Sequence, residues 1–233
     1  MKKQIIALGG GGFSEEPENP LLDEYILKQS GKPNPKVCFI GTASADSDAY
    51  IVNFYTSFLK FSCLPTHLSL FRPPTKDLKA FVLDQDVIYV GGGNTKCLLA
   101  LWREWKLDVY LRAAWENGTI LAGISAGSIC WFEEGLSDFL PGELNKLKCL
   151  GFLKGSNTPH YDGEENRRPA YHKFILSGEI SEGVAADDGV ALHYVGTRLK
   201  NVVSSRPDAK AYFVRRKLNG IEEEPITTVY LAT

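Results

Sequence analysis

Short apolar runs that stop abruptly at glycine punctuate this chain, and no other feature limits its possible folds so tightly. Residues 4–8 run into Gly9-Gly10-Gly11-Gly12, residues 86–90 run into Gly91-Gly92-Gly93-Asn94-Thr95, and residues 119–124 run into Ser125. Residues 36–40 and 67–71 are two more such runs. Near-continuous apolar runs of this length suit strands buried on both faces. Between them, apolar residues recur at helical spacing over 21–28, 46–61, 77–83, 95–105 and 107–115. The alternation predicts an α/β fold, a three-layer, mostly parallel sheet with helices on both faces. Beyond residue 178 the pattern shifts to short strands over 184–186, 190–195, 199–203, 211–214 and 227–231. Turn residues such as Asp187-Asp188-Gly189 and Asn219-Gly220 separate them, which predicts an antiparallel extension. No repeat, low-complexity tract or linker divides the chain, so residues 1–233 read as one domain.

Charge and cysteine usage narrow the function classes. The formal net charge is −2 and the basic residues are scattered, so no field draws the chain to nucleic acid or an anionic membrane. The five cysteines, Cys38, Cys63, Cys97, Cys130 and Cys149, are odd in number and form no Cys-x-x-Cys. That suits reduced thiols and predicts a cytoplasmic location. The apolar run at residues 5–8 is too short for a secretory signal, and no segment reaches the length of a membrane span.

The candidate chemistry centres on Gly123-Ile124-Ser125-Ala126-Gly127, where an apolar strand turns into a helical segment. An ordinary strand-to-helix turn can carry the same pentapeptide. The alternative is a nucleophile elbow, with the Ser125 hydroxyl lifted out of the sheet. The glycine runs complete neither a dinucleotide fingerprint nor a Walker loop. They can instead bring N–H groups of Gly92 and Gly93 close to Ser125, to hold an oxyanion together with the N–H of Ala126. Of the four histidines, His67 and His193 lie in apolar strands and His172 in a helical stretch. His160 lies in a loop, Asn157-Thr158-Pro159-His160-Tyr161, and is the candidate general base. Glu133, Glu134 and Asp138 are the acids that follow the elbow, and the residues alone do not choose among them. No His/Asp/Glu set has ligand-like spacing, so no metal is expected.

Taken together, Val90-Gly91-Gly92-Gly93-Asn94-Thr95, the elbow and Asn157-Thr158-Pro159-His160-Tyr161 resemble the peptidase E family of aspartyl dipeptidases. The resemblance implies a class I glutamine amidotransferase-like, flavodoxin-like fold and a serine peptidase that needs no cofactor. It places the nucleophile on Ser125, the base on His160 and the oxyanion loop on residues 91–93. It makes Asp138 the nearest match for the third catalytic member, with Glu133 or Glu134 as substitutes. It also suggests that Arg167, with Arg168 beside it, binds the acidic side chain of an Asp-X dipeptide. The amidotransferases carry a cysteine on the elbow. Here that position is Ser125, and Cys130 lies about 140° round the helix from it, which disfavours thiol chemistry. The implied partner is a small peptide, with a monomer or a homodimer both open. A cyanophycinase-like hydrolase of another amide and a non-catalytic binding protein are the competing readings.

Overall fold

The computed structural model describes residues 2–232. Chain order begins with β1 (Gln4–Leu8), α1 (Gly12–Glu15), α2 (Leu21–Lys28), β2 (Lys36–Ile40), α3 (Asp48–Phe58) and β3 (Leu64–His67). It continues with α4 (Leu78–Leu83), β4 (Val87–Val90), α5 (Thr95–Glu104), α6 (Leu107–Glu116), β5 (Ile120–Ile124) and α7 (Ala126–Ile129). Next come β6 (Phe132–Leu140), β7 (Glu143–Lys148), β8 (Leu153–Thr158), α8 (Arg167–Ser177) and β9 (Gly183–Ala186). The last strands are β10 (Val190–Val195), β11 (Arg198–Ser204), β12 (Ala211–Lys217), β13 (Gly220–Ile226) and β14 (Val229–Tyr230).

One sheet has the order β14-β11-β10-β1-β5-β4-β2-β3, and its five strands from β1 to β3 are parallel. Every residue of β1, β4 and β5 is buried, which is why these strands read as unbroken apolar runs. One face carries Ile6, Phe39 and Tyr89 against Phe13, Leu22, Ile26, Phe54 and Phe58 of α1, α2 and α3. The other carries Ile5, Cys38, Ile88 and Leu121 in one cluster with Leu98, Trp102, Leu111 and Trp115 of α5 and α6. That cluster extends to Phe132, Leu153, Val184 and Ala211 of a second sheet, ordered β13-β12-β9-β8-β6-β7. The outer face of the second sheet is covered by α8, where Tyr171 and Ile175 join Leu136, Ala185 and Val214. Val184 and Ala186 face one way and Ala185 the other, the period of two that a strand imposes.

The α/β architecture with helices on both faces of a parallel sheet is as the sequence predicts. Three expectations need correction. The late strands do not simply extend the first sheet: β10 and β11 join it antiparallel, β14 adds parallel to β11, and β9, β12 and β13 belong to the second sheet. The helical spacing after the elbow ends after one turn at Ile129, and residues 132–148 form a β-hairpin turned by Pro141-Gly142, with Gly142 at φ 79°. The third strand is Leu64–His67, because its register with β2 pairs Lys36 with Leu64 and Phe39 with His67; residues 68–70 are buried beyond its end.

The elbow depends on close backbone approach. A Cβ at Gly127 would overlap the Val90 carbonyl, and one at Gly123 would overlap the Gly127 carbonyl. Gly127→Ala is therefore expected to destabilise the fold by about 1–3 kcal/mol despite alanine's better helix propensity. A lower urea midpoint with an unchanged slope would show it.

Candidate active site

Strand register decides what meets at the C-terminal edge of the first sheet. Leu8 pairs with Ile124 and Val90 with Gly123, so the residues that leave β1, β4 and β5 emerge side by side. Ser125 leaves β5 with φ 55° and ψ −113°, a conformation that costs a residue with a side chain on the order of 1–3 kcal/mol. Its N–H donates to Leu8 O at 3.4 Å, and its carbonyl accepts from the N–H groups of Ser128 and Ile129 at 2.9 Å. The neighbouring strand β1 and the helix after it thus hold the strained turn that the elbow requires.

The glycines after β4 face this serine. A Cβ on Gly92 would lie 3.3 Å from Ser125 Cβ and 3.8 Å from its Oγ. The Gly92 N–H, however, donates to Tyr50 Oη at 3.2 Å, and that hydroxyl also bonds Ser14 Oγ at 2.6 Å. Gly93 has φ 130° and presses on the Ala43 carbonyl, where a side chain would collide. Asn94 caps α5 by accepting the Cys97 N–H, and its own amide donates to Phe139 O at 3.1 Å. Of the three expected oxyanion donors, Gly92 is therefore placed beside Ser125 with its N–H turned to Tyr50. Gly93 follows it on the same loop, and Ala126 opens α7 directly after Ser125.

His160 arrives from the second sheet. Strands β8 and β9 are parallel, with Thr158 opposite Ala185, so Pro159-His160 and Asp187-Asp188 leave the same edge together. His160 takes a left-handed φ of 52°, and its N–H donates to Gly9 O at 3.0 Å, which ties the loop to the end of β1. Its Nδ1 lies 2.7 Å from Asp188 Oδ1, with both side chains largely buried. Since a carboxylate only accepts, Nδ1 carries the proton and Nε2 is left as the basic nitrogen. Asp188 is fixed by its own N–H, which donates to Asp162 Oδ1 at 2.8 Å. Its carboxylate fits between Gly10 and Gly163, where a Cβ on either would overlap it. Burial pulls the His160 pKa down, but the Asp188 hydrogen bond and the charges of Glu15 and Asp188 outweigh it, and the value lies above that of an ordinary histidine.

The carboxylate on His160 is thus Asp188 and not Asp138. Asp138 stands on β6 with its side chain 61% exposed, 3.9 Å from Arg167 Nη2. Glu133 accepts the Gly155 N–H and Glu134 the Ser181 N–H, both along the second sheet. Sequence reasoning confined the search to acids just after the elbow and read Asp187-Asp188-Gly189 only as a turn. The available signal was an aspartate directly after a short apolar strand, at the place where parallel neighbours deliver their loops.

The two arginines are already engaged. Arg167 is buried at the start of α8, with Nε and Nη2 on Glu164 Oε2 at 2.9 and 2.6 Å and Nη1 on Leu136 O at 3.1 Å. Arg168 pairs with Glu223 and lies over the rings of Tyr161 and Tyr212. The remaining histidines have structural partners: His193 bonds Tyr25 and Gln4, His67 bonds Tyr55, and His172 bonds Tyr161 and Glu223. Cys130 is fully buried, and burial pushes its thiol well above the ordinary range. The fold also assembles a group that sequence spacing did not reveal. Donor atoms of Glu15, His160 and Asp188 lie within 4.8 Å of one another. A cation held there through His160 Nδ1 would have to replace the bond to Asp188.

Residues 5–202 match the sequence model of peptidase family S51. The uncharacterized peptidase YgaJ of Bacillus subtilis (strain 168) is 58% identical over 229 residues, covering 98% of this chain and 99% of its own. Peptidase E of Haemophilus influenzae is 25% identical, covering 84% and 89%. Among solved structures, a peptidase from an acI-B1 actinobacterium aligns with a TM-score of 0.71 at 19% identity, over 98% of this chain and 95% of its own. A putative peptidase E protein from Listeria monocytogenes EGD-e aligns with a TM-score of 0.59 at 16% identity, over 97% and 100%. At these identities the structural likeness speaks for the fold.

The His160–Asp188 bond carries a direct test. Because the folded-state pKa is raised, the bond's pH-dependent contribution to stability is fully present below the unfolded value of about 6.5. It is lost as pH rises through the folded pKa. Asp188→Asn should lower the His160 midpoint, whereas Asp138→Asn should leave it in place. Imidazole resonances followed by NMR across pH read both outcomes.

Proposed function

The chain belongs to peptidase family S51 and is a serine-type peptidase, and on that premise we propose that Ser125, His160 and Asp188 form its catalytic triad. One observation carries the assignment: the 2.7 Å bond from His160 Nδ1 to Asp188, made at the sheet edge where Ser125 sits on its strained turn.

In this mechanism His160 Nε2 removes the Ser125 Oγ proton as Oγ attacks the scissile carbonyl. Asp188 keeps the tautomer and stabilises the imidazolium that forms. The N–H groups of Ala126 and Gly93 take the oxyanion, in a role that is strong where the donors are already oriented. When the tetrahedral intermediate collapses, the C–N bond breaks and the imidazolium proton passes to the leaving amine. An acyl group remains on Ser125. A water then attacks that ester with His160 again as base, Ser125 recovers its proton, and the carboxylic acid leaves.

The substrates we propose are small peptides, with Asp-X dipeptides as the specific expectation. Arg167 supports the acidic preference, because it is buried and close enough for its charge to be felt at His160. A substrate carboxylate would take the place on Nε and Nη2 now held by one oxygen of the half-exposed Glu164. The same Glu164 pairing favours a second reading, in which Arg167 only braces the loop and the substrate is another amide. A panel of Asp-X, Glu-X and β-aspartyl peptides separates the two, and Glu164→Gln should lower KM for Asp-X under the first reading only. The five unpaired cysteines suit action in a reducing, cytoplasmic compartment. Among the described residues no helix is long and apolar enough to cross a membrane.

Ser125→Ala should reduce kcat/KM by a factor of about 10⁴ or more. A serine-directed phosphonate should label the wild-type protein at Ser125 alone. Retained turnover in the variant, or a folded protein that resists labelling, would reject the mechanism and favour a binding protein on a peptidase fold.

A further inference from the structure

We propose that Glu15 is a positioning residue of the catalytic centre, which brackets His160 together with Asp188 and favours the imidazolium that forms as Ser125 gives up its proton. The inference rests on the triad assigned above and adds a member from a different part of the chain.

Geometry supports it in three ways. A carboxylate oxygen of Glu15, one of Asp188 and a ring nitrogen of His160 lie within 4.8 Å of one another. Glu15 is held there, since its Oε2 accepts the Gly11 N–H at 2.8 Å. Its neighbour Ser14 bonds Tyr50 Oη, the hydroxyl that also receives the Gly92 N–H, so the helix bearing Glu15 is tied to the loop beside Ser125. Finally, Gly10 stands between the two carboxylates. A Cβ there would overlap Asp188 Oδ1 and lie 2.9 Å from Glu15 Oε2. The bare backbone at residue 10 lets both acids approach one imidazole.

The charges around the ring give Glu15 a role distinct from packing. Asp188 faces His160 from the β9–β10 turn, Glu15 from α1, and Arg167 from α8 with opposite effect. Asp162, on the histidine's own loop, accepts the Asp188 N–H, and Arg206 stands near Glu15 but pairs with Glu16. Glu15 as a residue is exposed, yet the partial burial of its carboxylate outweighs the Gly11 bond and the His160 charge, and its pKa lies above that of an ordinary glutamate, with Asp188 adding to the rise. Two carboxylates this close repel, and a positive imidazole beside both relieves the repulsion. Glu15 therefore favours the charged ring over the neutral one. In the mechanism the charged ring exists only after proton transfer from Ser125 has begun, so the interaction is stronger in the transition state than in the ground state.

The experiment compares pH profiles of kcat and kcat/KM for the wild type, Glu15→Gln and Glu15→Asp on the peptide of the panel that the wild type cleaves fastest. Glu15→Gln should lower kcat about tenfold, the equivalent of one pKa unit, with KM changed less than about twofold. Its acid limb should move to lower pH by roughly half a unit to one unit, because a histidine with less negative charge beside it loses its proton earlier. Glu15→Asp, which keeps the charge, should recover part of both effects. The His160 midpoint followed by NMR gives the same shift without turnover. An unmoved profile in Glu15→Gln, or a rise in KM alone as for a substrate contact, would overturn the proposal. Phosphonate labelling keeps the two levels apart. A wild type that fails to label at Ser125 removes the triad itself, whereas normal labelling with an unmoved Glu15→Gln profile removes only the role of Glu15.

Discussion

The parallel register of β1, β4 and β5 is the constraint on which the site depends. Leu8, Ile124 and Val90 end at nearly the same level, so the turns after them converge without any long loop. Buried, hydrogen-bonded strands cannot slip by one residue without turning every side chain to the wrong face. The strain at Ser125 is affordable only within that frame. Its N–H is held by β1, its carbonyl by α7, and the glycines at 123 and 127 let strand, helix and the end of β4 touch through backbone atoms.

The first sheet was largely legible in the sequence, because strands buried on both faces leave unbroken apolar runs and the helices between them keep a helical period. The second sheet was not. Its β6 mixes Phe132, Gly135 and Leu136 with Glu133, Glu134 and Asp138, and its β7 sets only Leu144 and Leu147 among polar residues, as suits a strand at the edge of a half-exposed sheet. A two-residue Pro-Gly turn was the readable signal there. Where Trp131 and Phe132 follow the elbow helix, helical spacing misled because Phe132 already begins β6 and Trp131 packs on Trp102 of α5 and on Phe152.

The site divides in the same way. Ser125 and His160 stood out because a serine between two glycines after an apolar strand, and a histidine in a loop, carry local signatures. Asp188 carries none, since an aspartate before glycine is also an ordinary turn. Its meaning comes from the pairing of β8 with β9, which is a long-range fact. Arg167 shows the converse limit. Its position was readable, but it is taken up by a local pair with Glu164 and by the Leu136 carbonyl, and the latter depends on where β6 lies.

The serine and the histidine are delivered by different sheets. Ser125 belongs to the first, and His160 and Asp188 leave the second. Three backbone hydrogen bonds stitch the loops together: His160 N–H to Gly9 O, Gly189 N–H to Gly10 O, and Tyr161 N–H to Ala186 O. Under the proposed triad, the apolar packing of Phe132, Leu153 and Val184 against the first sheet acts as a ruler for the distance over which the proton would travel. A core residue in that layer is an activity residue at one remove. Substitutions there can detune catalysis through alignment while the protein remains folded, and selection on such positions answers to reaction geometry as well as to stability.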